Sequence, residues 1–112
     1  MKHKIVLVPF PFDDLSTSKV RPAVCLTDEI WPYRHVVLAF ITSRVSDEAG
    51  QSDFILETKD KDFAMTGLKV SSTIRLHRLM TVTTSIIQRE LGELSDHHIS
   101  AINIRLRELF DI

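Results

Sequence analysis

Few side chains in this sequence are placed for chemistry, and they can be weighed one at a time. The five histidines include one adjacent pair, His97-His98. On a helix these two diverge by about 100°, so they cannot form the i, i+4 pair of a helical zinc site. No cluster of carboxylates completes a ligand set, and neither a metal nor another cofactor is expected. The single cysteine, Cys25, lies between Val24 and Leu26 in an apolar run and reads as a buried thiol rather than a nucleophile. His77 stands between Arg75 and Arg78 and is either an acid–base group, a ligand contact or a surface imidazole. His35 flanks a strand without chemistry. Arg21 precedes Pro22 at the end of a polar segment. Its planar fork can bond two phosphate oxygens at once, although a loop-end arginine is usually a solvated cation. Thr42 ends an apolar run and offers a hydroxyl that either serves a ligand or bonds its own backbone.

The elements that must carry these residues follow from hydrophobic patterning. Lys4–Phe10 is rich in Ile, Val and Leu and reads as a strand, followed by an exposed, mobile loop over Pro11–Arg21. Ala23–Thr27 is a second strand. His35–Thr42 is a third, and its unbroken hydrophobicity makes it central. A polar loop spans Ser43–Gln51, Asp53–Glu57 is a short strand, and Lys59–Gly67 has room for one helical turn. Val70–His77 alternates loosely and continues, bent, to Val82. Ile86–Leu91 fits either a strand or a helical turn. Ser95 is a good N-cap with Asp96 behind it, and Ile99, Ile102, Leu106, Leu109 and Phe110 recur at helical spacing on one face. Roughly five to seven short strands and a C-terminal helix predict a small, mainly antiparallel barrel.

The chain has 112 residues and a formal net charge of −1, with 44% hydrophobic and 26% charged residues. That length predicts one domain over 1–112. No apolar run is long enough for a membrane-spanning helix, and no secretory leader pattern opens the sequence. With one cysteine and no leader, the cytoplasm is the expected location, with no membrane partner. A net charge near zero excludes a protein coated in positive potential, so any nucleic-acid contact must come from a local basic patch. Lys59, Lys61 and Lys69 bracket acidic residues and read as a solvated face, with the lining of a nucleic-acid path as the alternative. Trp31-Pro32-Tyr33 is an aromatic loop that either stacks on a partner or closes the core.

Three ordered segments resemble the MazF/PemK (growth inhibitor) toxin family. They are Ile5-Val6-Leu7-Val8-Pro9-Phe10-Pro11-Phe12 running on to Arg21-Pro22-Ala23-Val24; Phe40-Ile41-Thr42-Ser43; and Ser72-Thr73-Ile74-Arg75-Leu76-His77-Arg78-Leu79-Met80-Thr81-Val82 followed by Leu91-Gly92-Glu93-Leu94-Ser95. The resemblance covers nearly the whole chain. It departs from the family where His3-Lys4 replaces an Arg-Gly-Asp before the first strand, and near His77-Arg78, where a glutamine is common.

The resemblance implies a mainly β fold with a C-terminal helix, the small SH3-like barrel of CcdB/MazF-like toxins. It implies the toxin of a type II toxin-antitoxin system: a homodimeric, metal-independent endoribonuclease that cuts single-stranded RNA, mRNA in particular, in a sequence-selective way. A cognate antitoxin would block its RNA groove, and the pair would reach operator DNA through the antitoxin. Metal-free cleavage uses the RNA's own 2′-hydroxyl as nucleophile and leaves a 2′,3′-cyclic phosphate and a 5′-hydroxyl. The protein must then remove the 2′ proton, neutralise the phosphorane and protonate the leaving oxygen. Arg21 and Thr42 match the family's functional pair, with Arg21 as charge stabiliser and possible acid. An arginine is a poor general base, so the base stays open. Lys19, Ser43, Arg75, His77 and Arg78 are the expected RNA contacts. Two other functions share the fold: a non-enzymatic CcdB-like toxin that binds gyrase, and a catalytically silent, antitoxin-bound DNA-binding repressor.

Overall fold

The structure, a computed structural model, describes residues 1–10, 19–46 and 49–112. Among these residues are six strands and one α-helix: β1 (Lys4–Phe10), β2 (Lys19–Cys25), β3 (His35–Thr42), β4 (Asp53–Leu56), β5 (Ser72–Thr83), β6 (Arg89–Glu93) and α1 (Asp96–Phe110). The strands form one antiparallel sheet in the order β4-β5-β3-β2-β1-β6. The fold is therefore mainly β with a C-terminal helix, as expected.

Both faces of this sheet are apolar, because alternate residues of each central strand point to opposite sides. One face carries Ile5, Val24, Ala39, Ile41, Leu56, Ile74 and Leu76, which pack with Leu94 and with Ile102 of α1. The other carries Val6, Val8, Ala23, Cys25, Val36, Leu38 and Phe40, covered by Met80, Val82, Ile86 and Ile87. Coverage on both sides accounts for the unbroken hydrophobicity of β3, which lies between β2 and β5.

The sheet curls into a half-barrel whose edges, β4 and β6, do not pair with each other. A 3-10 turn at Ala64–Thr66, the single turn expected between Lys59 and Gly67, packs against β6 instead. Backbone meets backbone there. A β-carbon on Gly67 would lie 2.0 Å from the Leu91 carbonyl oxygen, and one on Gly92 would lie 2.3 Å from that of Met65.

One expectation is corrected. β2 begins at Lys19 and ends at Cys25, not Ala23–Thr27, so Lys19–Arg21 belong to a strand rather than to the loop. Its first residues are exposed and held by backbone pairing to β1, a contact that leaves no hydrophobic signature in the sequence. The remainder of that loop, residues 11–18, lies outside the described residues. β5, expected to continue with a bend from Val70 to Val82, runs from Ser72 to Thr83 and does bend: Arg75 pairs with Phe40 and Leu79 with Ala39, so Leu76, His77 and Arg78 bulge out of register. The ambiguous Ile86–Leu91 stretch divides between a 3-10 turn ending at Ile86 and β6.

Helix α1 starts as its sequence predicts, with Ser95 Oγ accepting the His98 backbone N–H at 3.1 Å. Ile102 is buried and Ile99 and Leu106 pack on the core. Leu109 and Phe110, read as part of the same buried face, are exposed because the helix runs past the edge of the core.

Candidate active site

The pairing of β2 with β3 stops early. Ala23, Val24 and Cys25 pair with Phe40, Ala39 and Leu38, whereas Lys19–Pro22 pair only with β1. Pro22 has no N–H to extend the ladder. Continuing the register would set Arg21 opposite Thr42; instead the strands part and a cleft of about 420 Å³ opens between them. Arg21, Thr42, Ser43 and Arg78 all line it. The bulge in β5 brings Arg78 there, a re-aiming that bulges commonly produce.

Charge distinguishes this cleft. Arg21, Arg44, Lys69 and Arg78 line it, and no carboxylate does among the described residues. None of the four side chains has an ion-pair partner among the described residues. Several cations elsewhere are neutralised: Lys4 lies 2.9 Å from Glu93, Arg34 3.0 Å from Glu29 and Lys59 3.3 Å from Glu57. A larger cleft of about 670 Å³, between the N-terminal residues and the start of α1, mixes Lys2 and Lys61 with Asp62, Glu93 and Asp96 and suits a polyanion poorly.

The hydroxyl of Thr42 has a defined role. Its Oγ1 accepts the backbone N–H of Arg44 at 3.2 Å, which leaves its own proton to be donated into the cleft. The same segment is held from β5, where Thr73 Oγ1 donates to the Arg44 carbonyl at 2.8 Å. Unpaired cations and a donor hydroxyl can stabilise charge that develops on a bound phosphate.

Not every expected residue converges here. Lys19 is exposed on β2, on the side of Arg21 but outside the lining. Arg75 is paired with Asp53, with Nε 3.1 Å from Oδ1. His77 is exposed and hydrogen-bonded through Nδ1 to Ser52 Oγ at 2.8 Å. Both point to the β4 side. Two lining cations are not singled out by the sequence: Lys69 reads as part of a solvated face because it brackets acidic residues with Lys59 and Lys61, and Arg44 falls in the polar loop Ser43–Gln51. Its position directly after Thr42-Ser43 was the available signal.

The remaining candidates fall away from the cleft. Cys25 is fully buried, and burial pushes its thiol up to about 11, as expected for an inert thiol. Trp31 and Tyr33 are 82% and 65% exposed, so the aromatic loop does not close the core; Tyr33 stacks on His35 at 5.5 Å. His97 and His98 diverge, with His98 buried and His97 exposed.

Over residues 2–110 the chain matches the family described as PemK-like, MazF-like toxin of type II toxin-antitoxin system. It belongs to this toxin family. Solved MazF-type structures share the fold. Toxin MazF-mt6 of Mycobacterium tuberculosis is 21% identical, with 97% of each chain covered and a TM-score of 0.74. An endoribonuclease in complex with its cognate antitoxin, from a mycobacterial species, is 11% identical over 100% of this chain and 95% of its own, with a TM-score of 0.75. MazF of Deinococcus radiodurans is 16% identical over 99% and 96%, with a TM-score of 0.71. At these identities the likeness establishes the fold. No curated protein matches the chain significantly.

Proposed function

We propose that this PemK/MazF-like toxin is an endoribonuclease that cuts single-stranded RNA, mRNA in particular, at preferred sequences by attack of the RNA's own 2′-hydroxyl. The observation that carries the reading is the cleft that Thr42 lines together with Arg21, Arg44, Lys69 and Arg78, four cations without ion-pair partners among the described residues. In this reaction the 2′ oxygen bonds to the adjacent phosphorus, the bond to the 5′ oxygen breaks, and the products are a 2′,3′-cyclic phosphate and a 5′-hydroxyl. Arg21 holds the non-bridging oxygens as charge builds on the phosphorane, and Thr42 donates to the same group. Ser43, Arg44, Lys69 and Arg78 hold the flanking backbone, and Lys19 extends the basic side of β2. The group that takes the 2′ proton is left unassigned.

A homodimer, with two such clefts joined into one groove, fits the room that an RNA segment needs. Its natural competitor is an acidic, extended antitoxin segment, because phosphates and carboxylates present similar charge to the same cations. One of the similar structures is an endoribonuclease bound to its cognate antitoxin, which supports this partner. Operator DNA would be reached through that complex. The cytoplasm, where mRNA is found, is the matching location, and no helix in the described residues is long and apolar enough to cross a membrane.

The deciding experiment incubates purified protein with a long single-stranded RNA in EDTA and maps the ends. Products with 5′-hydroxyl and cyclic phosphate ends are expected. Full dependence on added Mg²⁺, or 5′-phosphate ends, would overturn the mechanism, and RNA left intact under all conditions would overturn the enzyme.

A further inference from the structure

We infer that Asp53 is a positioning residue for RNA: it holds Arg75 rigidly on the sheet surface as a phosphate contact one step beyond the cleft. The inference rests on the nuclease reading. Arg75 shares a face with the cleft, since Thr73 pairs with Thr42 and Arg75 follows two residues later on the same side of β5. Directly across from it on β4 is Asp53.

The contact between them is a close ion pair without hydrogen-bond alignment. Asp53 Oδ1 lies 3.1 Å from Arg75 Nε, the carboxylate side chain is 14% exposed and the arginine 39%. Both contacting atoms are closed off from solvent. Engagement through Nε leaves the two terminal nitrogens of the guanidinium available, the pair that grips a phosphate in bidentate fashion.

Asp53 is itself fixed from several sides. Its Oδ2 accepts the Gly50 backbone N–H at 3.1 Å, and its own N–H donates to the Gly50 carbonyl at 3.1 Å. The preceding residue grips the same stretch of β5: the Ser52 carbonyl accepts the Leu76 N–H at 2.9 Å, and Ser52 Oγ meets His77 Nδ1 at 2.8 Å. The turn at 50–53 thus clamps β5 where it bulges, and Arg75 loses little further freedom when a phosphate arrives.

Charge alone would give Asp53 the opposite effect. A carboxylate beside a phosphate repels it, so removing a mere neutraliser tightens RNA binding, whereas removing a positioning group weakens it. Equilibrium binding of a long single-stranded RNA to the full chain, measured over a range of salt, separates the two. Arg75→Ala should lower the slope of log affinity against log salt by about 0.7, the loss of one phosphate contact on a single strand. Asp53→Ala should do the same with Arg75 still present, and weaken binding roughly tenfold. In cleavage the loss should fall on KM rather than kcat. Asp53→Asn, which keeps an oxygen facing Nε, should recover most of it.

Arg75→Lys, at a half-exposed site that costs little in folding, gives an independent check. It keeps the charge but has no Nε to anchor, and should behave like Arg75→Ala. Binding that tightens or stays unchanged in Asp53→Ala, or a lysine as good as the arginine, would overturn the inference and leave the nuclease reading intact. A wild-type chain that binds no RNA would overturn both.

Discussion

Gly92 of β6 lies directly against the Met65 carbonyl: a β-carbon there would sit 2.3 Å from the oxygen and 2.5 Å from the Thr66 carbonyl carbon. Gly67 has the reciprocal relationship with Leu91 and a φ of 74°, a left-handed backbone that side chains disfavour. Together they let the 3-10 turn close the space between the free edges of the half-barrel. Gly92→Ala must push backbone against backbone and should cost about 2–4 kcal/mol, at the upper end for single substitutions. Urea unfolding of the variant checks this. A loss below roughly 0.5 kcal/mol, the range of neutral surface changes, would show that the turn yields freely.

Catalysis should separate cleanly from stability at Arg21. The side chain is exposed and has no partner among the described residues, so Arg21→Ala should leave the unfolding midpoint nearly unchanged. Cleavage should fall by roughly two to three orders of magnitude, the usual effect of losing a transition-state donor. Thr42→Val keeps the shape of the side chain and removes its donor, and should slow cleavage too. A folded Arg21→Ala protein cutting RNA at nearly the wild-type rate would sink the assignment.

Arg44 and Lys69 bear on whether the cleft, rather than the linear motif, defines the RNA path. Each replaced by Ala should weaken RNA binding across all sequences alike and reduce the salt slope by about 0.7. Lys59→Ala, which removes a lysine already paired with Glu57, should change neither. Equal effects at all three positions would mean that the RNA senses overall charge and not this cleft.

Much of the fold was legible because burial leaves a pattern. β1 and β3 have the bounds that their apolar runs predict, and α1 carries the cap that Ser95 promised. What escaped is held by backbone or by long-range geometry. The first residues of β2 are exposed yet paired, so no periodicity marks them. Lys69 reaches the cleft although its sequence neighbours suggest a solvated surface. Arg75 and His77 look in sequence like partners of Arg78, but the bulge in β5 divides them, sending Arg78 to the cleft and leaving the other two gripped by Asp53 and Ser52. Register shifts of that kind have no one-dimensional signature.

His3 offers a test of a side chain held in a disfavoured backbone conformation. Its φ is 72°, in the left-handed region. The position is not free to relax, since the His3 N–H donates to the Cys25 carbonyl at 2.7 Å and the His3 carbonyl accepts from Leu94 at 3.0 Å. Histidine tolerates the left-handed region better than most residues but still keeps a β-carbon there. His3→Gly should therefore raise stability by about 0.5–1 kcal/mol. It should also flatten the pH dependence. Burial, with nearby Lys2 and the N-terminus, holds the imidazole below its ordinary pKa of 6.5, while Asp28 works in the opposite direction. The folded chain thus binds fewer protons at this site than the unfolded one. Its contribution is present in full above pH 6.5 and is lost as pH falls through the lower folded value. Urea midpoints at pH 8 and pH 5 should accordingly drop further for the wild type than for His3→Gly. Parallel loss in both proteins would assign the acid sensitivity to other groups, and a destabilised variant would show that the His3 side chain contributes more in packing than its backbone costs.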